Sequence, residues 1–203
     1  LCDYFVEALK LLSVSDKTLL KHIEFRNVEE LEQHYDKGQT CAAILGHYCN
    51  WELLSAIGLA FKRHKDAVCG LIYHPLRSDI FDELFKDIRQ SKGGVCIPKR
   101  DILRYLVTYK REKRMWLFGY ISDQSPKWSN IHLWLPFLNH DTPVFTGGER
   151  IMRKMNDAVF YVDMERPKRG KYICTFRLVT DKPAELPEIE ITIRFFKMLE
   201  ETI

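Results

Sequence analysis

The segment Gly46-His-Tyr-Cys-Asn-Trp-Glu52 holds the residue pair in this sequence best suited to chemistry. His47 and Glu52 stand in a His-x4-Glu spacing that neither regular structure would bring together. In one helix they lie about 140° apart around the axis, at roughly 100° per residue. In one strand an odd separation puts them on opposite faces. A turn between them lets imidazole meet carboxylate, and a histidine braced by a carboxylate is general-base equipment. Glu52 would fix the tautomer and stabilise the imidazolium while the other ring nitrogen takes a proton from a hydroxyl. The N-terminus of a following helix adds free N–H groups and a positive dipole end for a developing oxyanion. Taken alone, His-x4-Glu is also a common chance pattern. For the bare pattern, a loop histidine in an incidental hydrogen bond with a first-turn glutamate is the more common explanation.

The surrounding elements would have to create that turn. Cys41-Ala-Ala-Ile-Leu45 is a short apolar run closed by Gly46, the signature of a buried strand. Asn50 is placed to cap a helix over 51–65. Further strands are expected over 68–73, 95–97, 115–121, 131–137, 159–164 and 172–180. Helices are expected over 1–12, from Ser78 to the Gly93-Gly94 terminator, over 101–114 and 147–155, and from 189 to the end. Strands separated by helices of 10 to 15 residues imply crossover connections. The expected fold class is therefore α/β, a three-layer αβα domain around a largely parallel, mixed sheet. Ligands in such sheets bind beyond the carboxyl ends of the strands, where His47 falls.

Composition excludes several classes. The chain has 203 residues, 46% hydrophobic and 29% charged, with neither repeats nor a Gly/Ser/Pro-rich linker, so one domain over 1–203 is expected. Disordered and fibrous classes fall away. The six cysteines include no CxxC pair, and several, such as Cys69 and Cys96, read as small core hydrophobes of a reducing compartment. No metal-ligand spacing is present, and His22, His34, His64, His132 and His140 read as surface residues. A net charge of +3 is far short of a dedicated nucleic-acid binder, and the tryptophans do not interleave with the basic stretches as stacking platforms would. No apolar run reaches the 18 residues of a membrane span. The chain begins at Leu1 without methionine and ends in a helical pattern, so a membrane anchor and a tail are expected outside it.

Gly46-His-Tyr-Cys-Asn-Trp-Glu-Leu53 resembles the first block of the lysophospholipid acyltransferase-like proteins, and most of all the lauroyl/myristoyl acyltransferases of lipid A biosynthesis. Tyr73-His-Pro-Leu76, Arg89 with Gly93-Gly94, Asp123-Gln124, and Leu135-Pro-Phe-Leu138 followed by Thr146 continue the resemblance in order over roughly residues 40 to 165. Cys49, His74 and Asn139 depart from the Gly, Arg and Gly usual there. These departures leave the His/Glu pair intact and the acceptor open.

The resemblance implies a glycerol-3-phosphate acyltransferase-like fold and a group transfer from an acyl thioester to a lipid hydroxyl. His47 and Glu52 would be catalytic. Asn50, Trp51, Arg100, Asp123, Gln124 and Glu149 would contact substrate, or, for Asp123 and Glu149, serve turn and helix-start chemistry instead. A nucleophilic Cys49 does not fit a family that transfers acyl groups directly. No cofactor is implied beyond the co-substrate, acyl carrier protein or CoA thioester. The partners would be that donor, a membrane lipid acceptor such as a lipid A precursor, and an anionic membrane surface. The basic stretches at 61–65, 99–100, 110–114 and 166–171 suit lipid head groups or an acidic carrier protein, or are simply solvated. The cytoplasmic face of the bacterial inner membrane is the expected location. Lysophospholipids or amino-acid lipids as acceptors, an idle lipid- or carrier-binding module, and a thioesterase are the alternatives.

Overall fold

Cys41–Leu45 contains no polar side chain, and every one of its residues is buried. In the computed structural model, which describes residues 2–203, this segment is strand β2 at the centre of a seven-stranded sheet. A strand covered on both faces must read as a continuous apolar run, because each face has its own core. Cys41, Ala43 and Leu45 face one core; Ala42 and Ile44 face the other.

The elements run α1 (Cys2–Lys10), α2 (Asp16–Leu19), β1 (Ile23–Arg26), α3 (Val28–Asp36), β2, a 3-10 helix (Trp51–Ala60), β3 (Val68–Tyr73), α4 (Asp79–Gln90), β4 (Val95–Pro98), α5 (Ile102–Arg111), β5 (Trp116–Ile121), a 3-10 turn (Trp128–Asn130), β6 (Trp134–Phe137), β7 (His140–Pro143), α6 (Gly147–Met155), β8 (Ala158–Lys168), β9 (Lys171–Thr180) and α7 (Glu190–Thr202). The sheet order is β1-β9-β8-β2-β5-β3-β4. The five strands from β8 to β4 are parallel, whereas β9 turns back antiparallel on β8 and carries β1 parallel to itself. One face is covered by α1, α3, the 3-10 helix and α4, through Ala8, Leu31, Leu54 and Ile88. The other is covered by α5, α6 and α7, through Leu106, Met152 and Phe195. The three-layer αβα architecture is thus as expected.

The differences are local. Leu1, the first position of the expected 1–12 helix, lies outside the described residues, and that helix ends at Lys10. The helix expected over 51–65 is a 3-10 helix that stops at Ala60. The amides of Lys62, Arg63 and His64 all donate to one carboxylate oxygen of Glu32, at 3.0, 2.6 and 3.1 Å. That buried carboxylate turns the chain out of the helix. The strand expected over 131–137 is half of a hairpin, β6–β7, whose two turn residues Leu138 and Asn139 both have positive φ (50° and 63°). This is the backbone of a tight two-residue hairpin turn, which Asn tolerates and Leu does not advertise. His34, expected at the surface, is buried: its ring bonds Gln39 at 2.9 Å and sits edge-on to Phe160.

A buried acid closes the sheet at the end opposite His47. Asp157 Oδ1 accepts from Thr40 Oγ1 at 2.5 Å and from Trp116 Nε1 at 3.0 Å, while Oδ2 is buried without a protein partner. Burial raises its pKa to about 7, against the lesser pull of the two donors. The folded-state pKa then exceeds the unfolded one, so the folded protein holds this proton more tightly. Stability from this group is fullest in acid, declines as pH rises from about 4, and levels off above about 7. Asp157→Asn is expected to flatten that slope, read by denaturant unfolding at pH 5.5 and pH 8. An unchanged slope would show that Asp157 is ionised throughout.

Candidate active site

β2 and β5 lie side by side, and their carboxyl ends deliver His47 and Asp123 to one place. Asp123 grips His47 at two points: Oδ2 accepts the backbone N–H at 2.7 Å, and Oδ1 accepts the ring Nδ1–H, also at 2.7 Å. An acceptor on Nδ1 assigns the proton there and leaves Nε2 with a free lone pair. The imidazole is about one-third exposed, so that lone pair is open to a substrate. Burial opposes the charge on Asp123, but the hydrogen bonds from the His47 ring and amide outweigh it and hold the carboxyl below its usual range. Gly46 makes the approach possible: a Cβ there would come within 3.3 Å of Asp123 Oδ2 and 3.1 Å of Leu199.

Glu52 is elsewhere. Its side chain is fully buried, with its carboxylate in a fork–fork pair with Arg89 (Nε to Oε2 2.9 Å, Nη2 to Oε1 2.8 Å) and a third bond from Tyr4 Oη at 3.0 Å. Among the described residues no hydrogen bond joins Glu52 to His47, so the pairing expected from the spacing is corrected: Asp123 holds the histidine. The reason is geometric. The first turn of the 3-10 helix points Glu52 inward, toward α4, and a buried carboxylate needs a cation. Trp51 lies between the two groups, with its ring edge-on to His47 at 5.5 Å and the Arg89 guanidinium 5.0 Å over it. It forms a buried wall behind the histidine.

The other expected contacts divide. Asn50 does not cap the helix; its Nδ2 donates to Glu7 Oε2 at 2.9 Å, and Tyr172 donates to the same oxygen at 2.6 Å. Gln124 is exposed beside Asp123. Arg100 lies past the end of β4, three strands from β2 or about 14 Å at the usual strand spacing. It is exposed and paired with Asp101, so the structure does not bring it to His47. Glu149 is buried, and its Oε2 accepts from Thr192 N and Oγ1 at 2.9 and 2.6 Å, tying α6 to the start of α7. Among the described residues no group of three His, Cys, Asp or Glu is gathered to hold a metal. Tyr4, Glu7 and Arg89 complete the scaffold of the motif. Only Arg89 carried a sequence signal, its place in the matched order of motifs. Tyr4 and Glu7 are a tyrosine and a glutamate on an ordinary amphipathic helix.

Cys49 occupies the left-handed region at φ 53°, which explains why glycine suits this position. Its thiol donates to Met164 O at 3.3 Å, and burial raises its pKa, the opposite of an activated nucleophile. Cys49→Gly is expected to stabilise the fold by about 1 kcal/mol through relief of backbone strain, with acyl transfer retained. Loss of transfer in a folded Cys49→Gly protein would assign the thiol a chemical role.

No curated protein matches the chain. A family model described as bacterial lipid A biosynthesis acyltransferase matches residues 1–203, the whole length given. With that match along the whole length given, the chain belongs to the bacterial lipid A biosynthesis acyltransferases.

Proposed function

We propose that the protein moves a fatty acyl group from an acyl thioester, on acyl carrier protein or CoA, to a hydroxyl of a lipid A precursor. His47 is the general base. Its free Nε2 takes the hydroxyl proton as the oxygen attacks the thioester carbonyl. The tetrahedral intermediate then collapses, and the departing thiolate recovers the proton from the imidazolium. Asp123 keeps Nε2 unprotonated at rest and stabilises the imidazolium during transfer. Glu52 is a positioning residue that acts through Trp51 and Arg89. The two-point grip of Asp123 on His47 is the observation that supports this reading most directly. The reaction places the protein at the cytoplasmic face of the inner membrane, where thioester donor and lipid acceptor meet. No helix of the described residues is long and apolar enough to cross a membrane.

The test is transfer of radiolabelled acyl groups, from carrier protein and from CoA in parallel, to a lipid A precursor dispersed in detergent. Label in the lipid, lost with His47, supports the reading. Free fatty acid released equally fast with and without acceptor would make the protein a thioesterase. Binding of donor without turnover would make it an idle module.

A further inference from the structure

Helix α1 turns Asp3, Tyr4 and Glu7 toward the rest of the fold and leaves apolar side chains outward. Ala8 and Leu11 enter the core. Tyr4 reaches Glu52, Glu7 takes bonds from Asn50 and Tyr172, and Asp3 pairs with Arg166 and Arg169 at the tip of the β8–β9 hairpin. Those bonds fix the rotation of the helix, so Phe5, Val6 and Leu9, with Leu12 in the turn that follows, cannot roll under it. Each is about half exposed (48, 52, 47 and 45%). Their spacing makes one stripe along a helical face.

The surroundings of the stripe are basic. The hairpin tip contributes Lys168 and Arg169, the latter paired with Asp3, and α1 itself contributes Lys10, all three exposed. The hairpin rises from the same edge of the sheet as His47, because β8 runs parallel to β2 and continues past its carboxyl end. An apolar helical stripe rimmed by basic side chains matches the boundary between acyl chains and anionic head groups. An acidic protein would complement the charges but leave the stripe in water.

We propose that α1 and the tip of the β8–β9 hairpin form a docking face for an anionic lipid bilayer, and that this face sets His47 at the membrane surface. The proposal rests on the reading of the acceptor as a membrane lipid. α1 is bonded to Asn50 and Glu52, three and five residues beyond His47, so the docked helix and the catalytic turn form one unit.

Flotation of the 203-residue chain with phosphatidylethanolamine/phosphatidylglycerol vesicles tests the proposal. The wild type is expected to float at low salt and less so at high salt, because charge attraction is screened beyond about 8 Å at physiological ionic strength. Phe5→Ser/Leu9→Ser and Lys10→Glu/Lys168→Glu are each expected to lower vesicle partitioning by about tenfold or more. All four positions are exposed, and circular dichroism verifies that the variants fold. Ile80→Ser/Phe81→Ser, which alters the exposed apolar patch on α4, is expected to leave flotation unchanged. Failure of the wild type to float, or an equal loss in the α4 variant, would overturn the docking face. So would loss of carrier-protein binding, rather than of flotation, in the α1 variants. Wild-type transfer to the detergent-dispersed acceptor separates the two readings: transfer without flotation removes the docking face and leaves the proposed function standing.

Discussion

His47→Ala is expected to lower acyl transfer by about 10²- to 10⁴-fold while the protein keeps its thermal midpoint. The ring is partly exposed, and its only hydrogen bonds among the described residues go to Asp123, so truncation removes a base without opening the core. Asp123→Asn is the sharper companion experiment. The amide can turn its NH₂ toward Nδ1, which forces the ring proton onto Nε2 and leaves no lone pair for the acceptor hydroxyl. A loss approaching that of His47→Ala is therefore expected, in kcat more than in KM, because the tautomer matters to proton transfer and not to ground-state binding. Glu52→Gln provides the contrast. If Asp123 orients the histidine, Glu52→Gln affects stability first and rate second. If a folded Glu52→Gln protein loses as much rate as Asp123→Asn and no stability, the assignment of the orienting carboxylate is wrong. Wild-type turnover by His47→Ala would remove the base altogether.

The layers of this fold are written in runs that a single sequence displays. β2, β3 and β5 are short, apolar and bounded by polar loops, and the helices between them are periodic, so the parallel sheet and the location of His47 at its carboxyl edge followed directly. Segment 13–40 carried no such signal. β1 is a four-residue edge strand with alternating exposure, and α3 buries Glu32 and His34, residue types that read as surface. Glu32 is satisfied by the distant amides of residues 62–64 and His34 packs on the distant Phe160, and no local pattern encodes either. The same limit applies to the site. Spacing showed that His47 needed a turn and a carboxylate, and Glu52 was the carboxylate within reach along the chain. Asp123 is 76 residues away in sequence yet adjacent in space, because β2 and β5 pair in register from Cys41↔Leu117 to Leu45↔Ile121. Sequence proximity suggested one partner, and sheet topology supplied another.

Arg89→Ala is expected to destabilise the protein by about 3–5 kcal/mol, the cost of leaving a buried carboxylate without its cation. Glu52 has no exposed side-chain surface, and without Arg89 its carboxylate would keep only the bond from the Tyr4 hydroxyl. Burial works against the charge on Arg89, and its hydrogen bonds and attraction to Glu52 more than compensate, so each ion depends on the other. At about 2–4 °C per kcal/mol for a domain of this size, the midpoint should fall by roughly 6–20 °C. Arg89→Lys keeps a charge but not the planar fork or the contact with the faces of Trp51 and Phe85, so an intermediate loss is expected. Glu52→Leu/Arg89→Met removes both charges together, and most of the stability should return, because an apolar replacement of a buried pair is often neutral. Activity separates stability from positioning. In the double variant Trp51 loses the guanidinium on its face while His47 and Asp123 keep their bonds, so a folded protein with reduced kcat would show that the buried pair sets the wall behind the base. An unfolding free energy within about 0.5 kcal/mol of wild type for Arg89→Ala, the range of ordinary surface substitutions, would instead mean that the pair contributes nothing to the fold.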